Sequence, residues 1–470
     1  MSTRRSVNDH REAVDALLAP LAEKSAIETL AVTAAALAAR PGDYRNRLLA
    51  ADLIAPADLP TFDNSQMDGY AVSWFDLVTA SPSEPVTLAI AAQIAAGDDA
   101  SALVPGTAAP IMTGAPVPPG ADAIVPIEQA VPPRFQHLHA PETAARRAPL
   151  TVDFVEPVVP GTFVRRAGSD VTRGDLLLRA ESLLGPAQLG VIAGTGLTEV
   201  EVLRRLRVLL ISTGHEIRDA GSTLQPGQIF DSNSVSLSLA LADAGCVVTA
   251  VPCRSDDADV LLGILSQHAE QVDLVITIGG VSAGAREVVR DALGPLGVQF
   301  GKVAMQPGGP QGFGLATIPL EIPPDARPGA DSPDGADSGN TSVRDVLPSP
   351  APPGAARSVT LPVLTLPGNP VSALVSFEMF VRPALRRLAH AEPAERVREV
   401  AMIAEPVDSP AGVHQVRRGF VHEDGTVAFV GGPSSHLLHS YASSNALVHI
   451  PADVEHLDAG DPVMVWRIDD

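Results

Sequence analysis

The chain has 470 residues, enough at roughly 150 residues per domain for about three domains with separate cores. Apolar residues make up 45% of it but aromatics only 4%, so those cores must be built from Ala, Val, Leu and Ile. A formal charge of −22 excludes broad non-specific binding to nucleic acid or an anionic membrane, and any bound anion needs a local site set against the overall field.

Only Lys24 and Lys302 are lysines among 33 basic residues; the rest are arginines. Cys246 and Cys253 are the only cysteines, too few for a disulfide framework or a CxxC zinc site, and they suit a reducing compartment. Arg4-Arg5 superficially resembles a twin-arginine signal. Asp9, His10, Arg11 and Glu12 then occupy the place of the apolar stretch, so no export signal is expected. The longest weakly apolar run, Leu30 to Ala39, is too short to span a bilayer. The expectation is a soluble, cytoplasmic protein with no nucleic-acid or membrane partner.

In chain order, Asn8 is expected to cap a helix whose apolar residues Val14, Leu17, Leu18 and Leu21 recur at helical spacing. A second, alanine-rich helix is predicted over Ala26 to Ala39, stopping at Pro41-Gly42. From Leu59 to about Pro160, short β-like runs (Val86 to Ala91, Ala123 to Ile127, Val152 to Val155) alternate with Pro and Gly clusters. That texture suits a small β-rich domain, with a loose loop at Pro132 to Pro149.

After Leu203 the rhythm becomes strand, loop, helix. Strands are predicted at Arg207 to Ile211, Cys246 to Val251 and Asp273 to Ile278, and helices at Val235 to Ala244 and Asp257 to Ala269. This βαβ order implies a parallel sheet covered on both faces. Ala326 to Ala356 has no apolar periodicity and reads as a disordered insertion. The pattern resumes with a strand at Val359 to Leu366, the turn Pro367-Gly-Asn-Pro370 and a helix with Leu374, Phe377, Val381, Leu385 and Leu388 on one face. The last 70 or so residues read as short strands with turns at Asp424-Gly425 and Gly431-Gly432, a small β-domain.

Several strand ends carry chemistry. Gly279-Gly-Val-Ser-Ala-Gly284 follows a predicted parallel strand, where open α/β sheets bind ligands, and its glycines let backbone N–H groups converge on an anion. An ordinary strand-to-helix turn is the plainer reading of that segment alone. Ser212-Thr-Gly-His-Glu216 also follows a strand. Asp231 precedes a helix, so it is either an N-cap or a carboxylate for a hard cation beside phosphates. Asn369 and Pro370 make a good helix start that is also an anion site. The histidines of the last 60 residues match no zinc template.

Taken together, Phe62 to Val72 (FDNSQMDGYAV), Ile111 to Gly120 (IMTGAPVPPG), Arg165 to Asp170, Ile211 to Glu216, Gly227 to Asn233 (GQIFDSN), Gly279 to Gly284, Lys302 to Gly314 and Leu366 to Ala373 (LPGNPVSA) resemble the molybdopterin molybdotransferase family, which includes bacterial MoeA and the gephyrin E-domain. They span nearly the whole chain. The resemblance implies a multidomain α/β homodimer. Its parts would be a supporting helical domain (8–58 plus 161–203), a β-rich insertion domain (59–160), a parallel-sheet molybdopterin-binding α/β domain (204–392) and a C-terminal β-domain (397–470).

In that family, adenylylated molybdopterin from a molybdopterin adenylyltransferase reacts with molybdate and Mg²⁺ to give the molybdenum cofactor and AMP. The resemblance assigns catalytic roles to Asp63, Thr113, Glu199, Asp231 and Lys302, and Mg²⁺ contacts to Asp231 and Glu287. Asp63 and Thr113 would close over the partner's site in the dimer. Pterin, phosphate or oxyanion contacts would fall to Gly279, Gly280, Ser282, Gly284, Pro367, Gly368, Asn369, Pro370, Ser372, Arg418 and Ser435. This sequence departs from the family pattern at His215 and Glu287, which replace acids. Gln306 and Gly309 stand where lysines often occur, which weakens the attraction for a polyanion. A non-catalytic paralogue that binds or delivers molybdopterin or the mature cofactor is the alternative reading.

Overall fold

The structure is a computed structural model and describes residues 4–24, 26–136, 150–281, 288–320 and 357–469. The chain divides into two compact units, Met1–Ala26 with Leu203–Asp470, and Ile27–Val202.

In the first unit the run at Arg207 is apolar without a break because both of its faces are buried. The strand is β1 (Arg207–Thr213). Val208 and Leu210 enter one core with the helices Val7–Leu18 and Ser232–Asp243, while Leu209 and Ile211 enter a second core with Leu261, Leu265 and Val289. A strand covered on both sides loses the usual polar alternation. The same sheet contains β2 (Val247–Cys253), β3 (Leu274–Ile278), β4 (Gln299–Lys302), β5 (Pro310–Pro319) and β6 (Ser358–Leu366), in the spatial order β2-β1-β3-β6-β5-β4. Strands β2, β1, β3 and β6 run parallel; β5 pairs antiparallel to β6, and β4 antiparallel to β5. The sheet is therefore mixed, with β5 alone reversed, rather than wholly parallel.

That reversal puts the start of β5 on the same rim as the carboxyl ends of the other five strands. The helix after β6 begins at Pro370 and passes through a π turn, Phe377–Val381, into Arg382–Leu388. In the C-terminal part, His414–Val421, Thr426–Phe429, Arg398–Ile403, Pro462–Arg467 and Ala446–Ile450 pair in that order, and the last returns to pair with the first, closing a barrel. Met305–Gln306 adds to its edge beside His414 and Gln415.

The second unit contains a six-stranded sheet formed between Gly69 and Phe154, with Tyr70, Leu88, Val125 and Phe154 in its core. Beside it, the strand pairs Ile27–Ala31 with Glu199–Leu203 and Leu53–Ile54 with Leu176–Leu178 accompany two short helices, Ala34–Ala39 and Pro186–Gly194. The supporting part is thus mixed rather than helical.

Three local expectations are corrected. Ser6, not Asn8, caps the first helix, its hydroxyl accepting from Asp9 N at 3.1 Å. That helix packs Val14 and Leu18 into the α/β core and not into the supporting part. Ile27–Ala31 is a strand, and the alanine-rich helix begins only after Thr33, whose hydroxyl accepts from Ala36 N. The expected loop at Pro132 to Pro149, from residue 137 on, and the insertion at 326–356 lie outside the described residues.

Candidate active site

Five strands end, and β5 begins, along one rim of the mixed sheet, and the loops there enclose a groove of about 1250 Å³ within the first unit. Sheet order arranges its chemistry. Loops after β1 and β2 bring Glu216 and Asp256, and Asp231 sits nearby before its helix; β3 and β6 bring Gly279-Gly280 and Pro367–Pro370 to the middle; β4 brings Lys302 to the far end. Neighbouring strands lie about 4.8 Å apart, so the four intervals from β1 to β4 separate the acidic and basic ends by roughly 19 Å.

Close backbone approach explains the central glycines. Gly279 has φ of +93°, and a Cβ there would lie 2.8 Å from Thr213 O. On Gly368 a Cβ would lie 3.3 Å from the Gly279 Cα. The β3 and β6 loops thus touch backbone to backbone, leaving peptide groups at the floor of the groove. Asn233 ties the third loop to them, its amide donating to Gly368 O at 2.7 Å. Ser372 is buried to 4% exposure on the same wall, and Val371 N donates to Ser435 O at 3.1 Å, which brings the barrel's loop to the groove.

Asp231 is an N-cap: one carboxylate oxygen accepts from Ser234 N at 2.9 Å and the other from Ser234 Oγ at 2.6 Å. It also lines the groove. The N-cap reading therefore holds, and the place in the groove is where the other reading, a carboxylate for a hard cation, would need it. His215 lies 3.3 Å from Asp256 and 3.7 Å from Glu216, so it reaches two acids of the groove. Among the described residues no three His, Cys, Asp or Glu side chains converge to hold a metal ion. The donor set fits Mg²⁺ only in its usual form, held by one or two carboxylates and the phosphates of a ligand.

Gln306 and Gly309 line the groove as neutral residues. Their loop is held from behind by a pair that the sequence did not reveal. Gln311 donates its amide to Gly308 O at 2.8 Å and to Ser376 Oγ at 3.1 Å, and its oxygen accepts from His10 Nε2 at 3.1 Å. Burial lowers the His10 pKa to about 4, so the ring is neutral. A helical histidine and a glutamine 301 residues away give no local sequence signal.

Other expected site residues lie elsewhere. Arg418 does not line the groove; it is 1% exposed in the barrel, where it donates to Gly432 O, next to the groove-lining Pro433 to His436. Its Nε and Nη1 find no partner among the described residues. Asp63, Thr113 and Glu199 belong to the second unit. Asp63 accepts from Ala167 N at 2.8 Å and Arg166 Nη1 at 2.6 Å, and these bonds, the backbone one foremost, hold its pKa below the usual carboxylate range. Thr113 donates both N–H and hydroxyl to Asp68, at 2.7 Å each. Glu199 is exposed at the start of a strand. Ser282, Gly284 and Glu287 lie outside the described residues.

Residues 5–196 match the MoeA N-terminal region (domain I and II), 209–387 a probable molybdopterin binding domain, and 400–468 the MoeA C-terminal region (domain IV). Molybdopterin molybdenumtransferase 2 of Mycobacterium tuberculosis is 42% identical over 430 residues, covering 90% of this chain and 92% of that protein. The molybdopterin molybdenumtransferase of Haemophilus influenzae is 30% identical over 89% of this chain and 91% of its own. The crystal structure of the molybdopterin biosynthesis MoeA protein from Pyrococcus horikosii superposes with a TM-score of 0.66 at 25% identity, covering 99% of each chain. The chain therefore belongs to the molybdopterin molybdenumtransferase (MoeA) family.

Proposed function

We propose that this protein works in molybdenum cofactor biosynthesis as a transferase that inserts molybdate into adenylylated molybdopterin and releases AMP, with Mg²⁺. One observation carries the reading: loops from six separate stretches of sequence meet along one rim, with carboxylates, a backbone floor and Lys302 in that order. A pterin bearing a pyrophosphate requires those three elements together. Backbone N–H groups of Gly280 and Asn369 cradle phosphoryl oxygens without competing charge, while that of Gly279 is taken by Leu366 O. Asp231 and Glu216 would hold Mg²⁺, which when bound neutralises phosphate charge and polarises the bond to AMP. Lys302 offers an ammonium to an oxyanion at the other end. The reading also makes the chain a homodimer, with Asp63 and Thr113 completing the partner's groove, and takes its substrate from a molybdopterin adenylyltransferase.

The test is turnover of adenylylated molybdopterin with molybdate and Mg²⁺, following AMP and cofactor together. Release of AMP that depends on both molybdate and Mg²⁺ supports the transferase. Tight pterin binding with no AMP release would favour a binding or delivery protein, a reading to which the neutral Gln306 and Gly309 lend some weight.

A further inference from the structure

The Arg4-Arg5 pair has no part in the function so far, and the structure gives it one. Arg5 is stitched to the end of β4: its N–H donates to Lys302 O at 2.9 Å, and its carbonyl accepts from Ala304 N at 2.8 Å. Its guanidinium lies over the Phe313 ring, 4.5 Å from the centroid. Ser6 then caps the first helix, so the chain is fixed on both sides of this contact. In extended backbone, successive side chains point opposite ways. With Arg5 turned onto β5, Arg4 turns the other way and lines the groove together with Lys302.

We propose that Arg4 is a binding residue for the oxyanion end of the ligand, forming with Lys302 the cationic wall of the groove. The inference rests on the proposed transferase reading for its ligand but on local geometry for its residue. Around this end, Val303, Met305, Gln306, Pro307, Gly308 and Gly309 carry no side-chain charge. Neither Arg4 nor Lys302 has an ion-pair partner among the described residues. Two cations that line one groove from neighbouring backbone, without a counter-charge and in a chain of net charge −22, favour a divalent oxyanion. The guanidinium fork supplies paired N–H donors and the ammonium a point charge, which together suit a tetrahedral dianion. Two sources share that chemistry, the pterin phosphate and molybdate.

The test uses the full chain with Arg4→Gln and Arg4→Lys. Binding of inorganic molybdate and of inorganic pyrophosphate is measured by calorimetry, and KM for molybdate and for adenylylated molybdopterin is measured separately from kcat. Arg4→Gln should weaken binding of at least one probe about tenfold, and raise the matching KM, as loss of one charge-assisted contact does. Arg4→Lys should recover part of the loss. A KM change confined to molybdate assigns the wall to the metal oxyanion; one confined to the pterin assigns it to the phosphate. Melting temperature should not change, because Arg4 is exposed and the stitching is made by Arg5. Unchanged binding of both probes and unchanged KM values in Arg4→Gln would overturn the proposal. If the parent protein shows no turnover while Arg4→Gln still weakens probe binding, the transferase reading fails and the anion wall stands.

Discussion

Asp231 caps a helix and is proposed to hold Mg²⁺, and a substitution can separate the two roles. Asn caps helices as well as Asp, so Asp231→Asn should keep stability within about 0.5 kcal/mol, read by urea denaturation. It should abolish Mg²⁺-dependent AMP release, because a neutral amide holds a hard cation poorly. Near-parental AMP release would remove Asp231 from the mechanism. His10 gives a test of a different kind. Its folded pKa, about 4, lies below the unfolded value near 6.5, so the unfolded chain binds more protons between those values. Its contribution is therefore complete above pH 6.5 and is lost on acidification towards pH 4, by about 3 kcal/mol in all. His10→Phe keeps a ring between Phe313 and Phe380 but cannot titrate. Its stability should fall less steeply over that window than the parent's, and parallel curves would refute the assignment. Asp231 was legible because the N-cap and the metal-carboxylate readings both rest on short-range pattern. His10 and Gln311 were not, because only the fold brings them together.

Strands were read well where an apolar run marks them and poorly where glycines or distant pairing define them. Arg207–Thr213 and Leu274–Ile278 announce themselves as unbroken apolar runs. By contrast, β5 is interrupted by Gly312 and Gly314 and was not among the predicted strands. The structure shows why glycine is there: a Cβ on Gly312 would lie 2.6 Å from Thr365 Oγ1 and 2.8 Å from the Phe300 ring. Ile27–Ala31 was misread for the opposite reason, since the alanines beyond it carry helix propensity while its pairing partner lies about 170 residues downstream. At its far end the sheet is clamped by Asp273, which accepts from Arg204 at 2.8 and 3.1 Å and from Arg207 N at 2.8 Å. Burial pushes this carboxyl's pKa up, but the arginine bonds outweigh it and hold the pKa at about 2. Asp273→Asn should cost about 1–3 kcal/mol in urea denaturation at pH 7. The difference from the parent should shrink as the pH falls through 2, where the parent's own carboxylate is neutralised. A cost independent of pH would point to packing instead.

At the scale of the whole molecule, the order of motifs was legible from Phe62 to Ala373 because each is a turn with fixed backbone demands. The way the motifs face one another was not. The groove gathers residues from Arg4 to His436, and no local pattern encodes a sheet order of β2-β1-β3-β6-β5-β4. Asp63 and Thr113 show the same limit: their motifs were visible, their bonds to Ala167 and Asp68 were not. If their units serve the partner's groove in a homodimer, mixing inactive Asp63→Ala and Asp231→Ala protomers should restore part of the activity. Each verified heterodimer would keep one site with both acids. No recovery would mean that each subunit works with its own residues.

The stitch between Arg5 and Ala304 also sets a timetable. Translation reaches the end of β4 about 300 residues after Arg5, roughly 15–60 s later at 5–20 residues per second. The helix Val7–Leu18 packs against Pro310–Pro319 and residues 377–388, which follow later still, so until they emerge Val14 and Leu18 lack much of their core. The unit Ile27–Val202 is meanwhile synthesised in full and is compact in itself. The helix Val7–Leu18 is thus made long before the elements it packs on, and for that interval its apolar stripe is a natural target for chaperones.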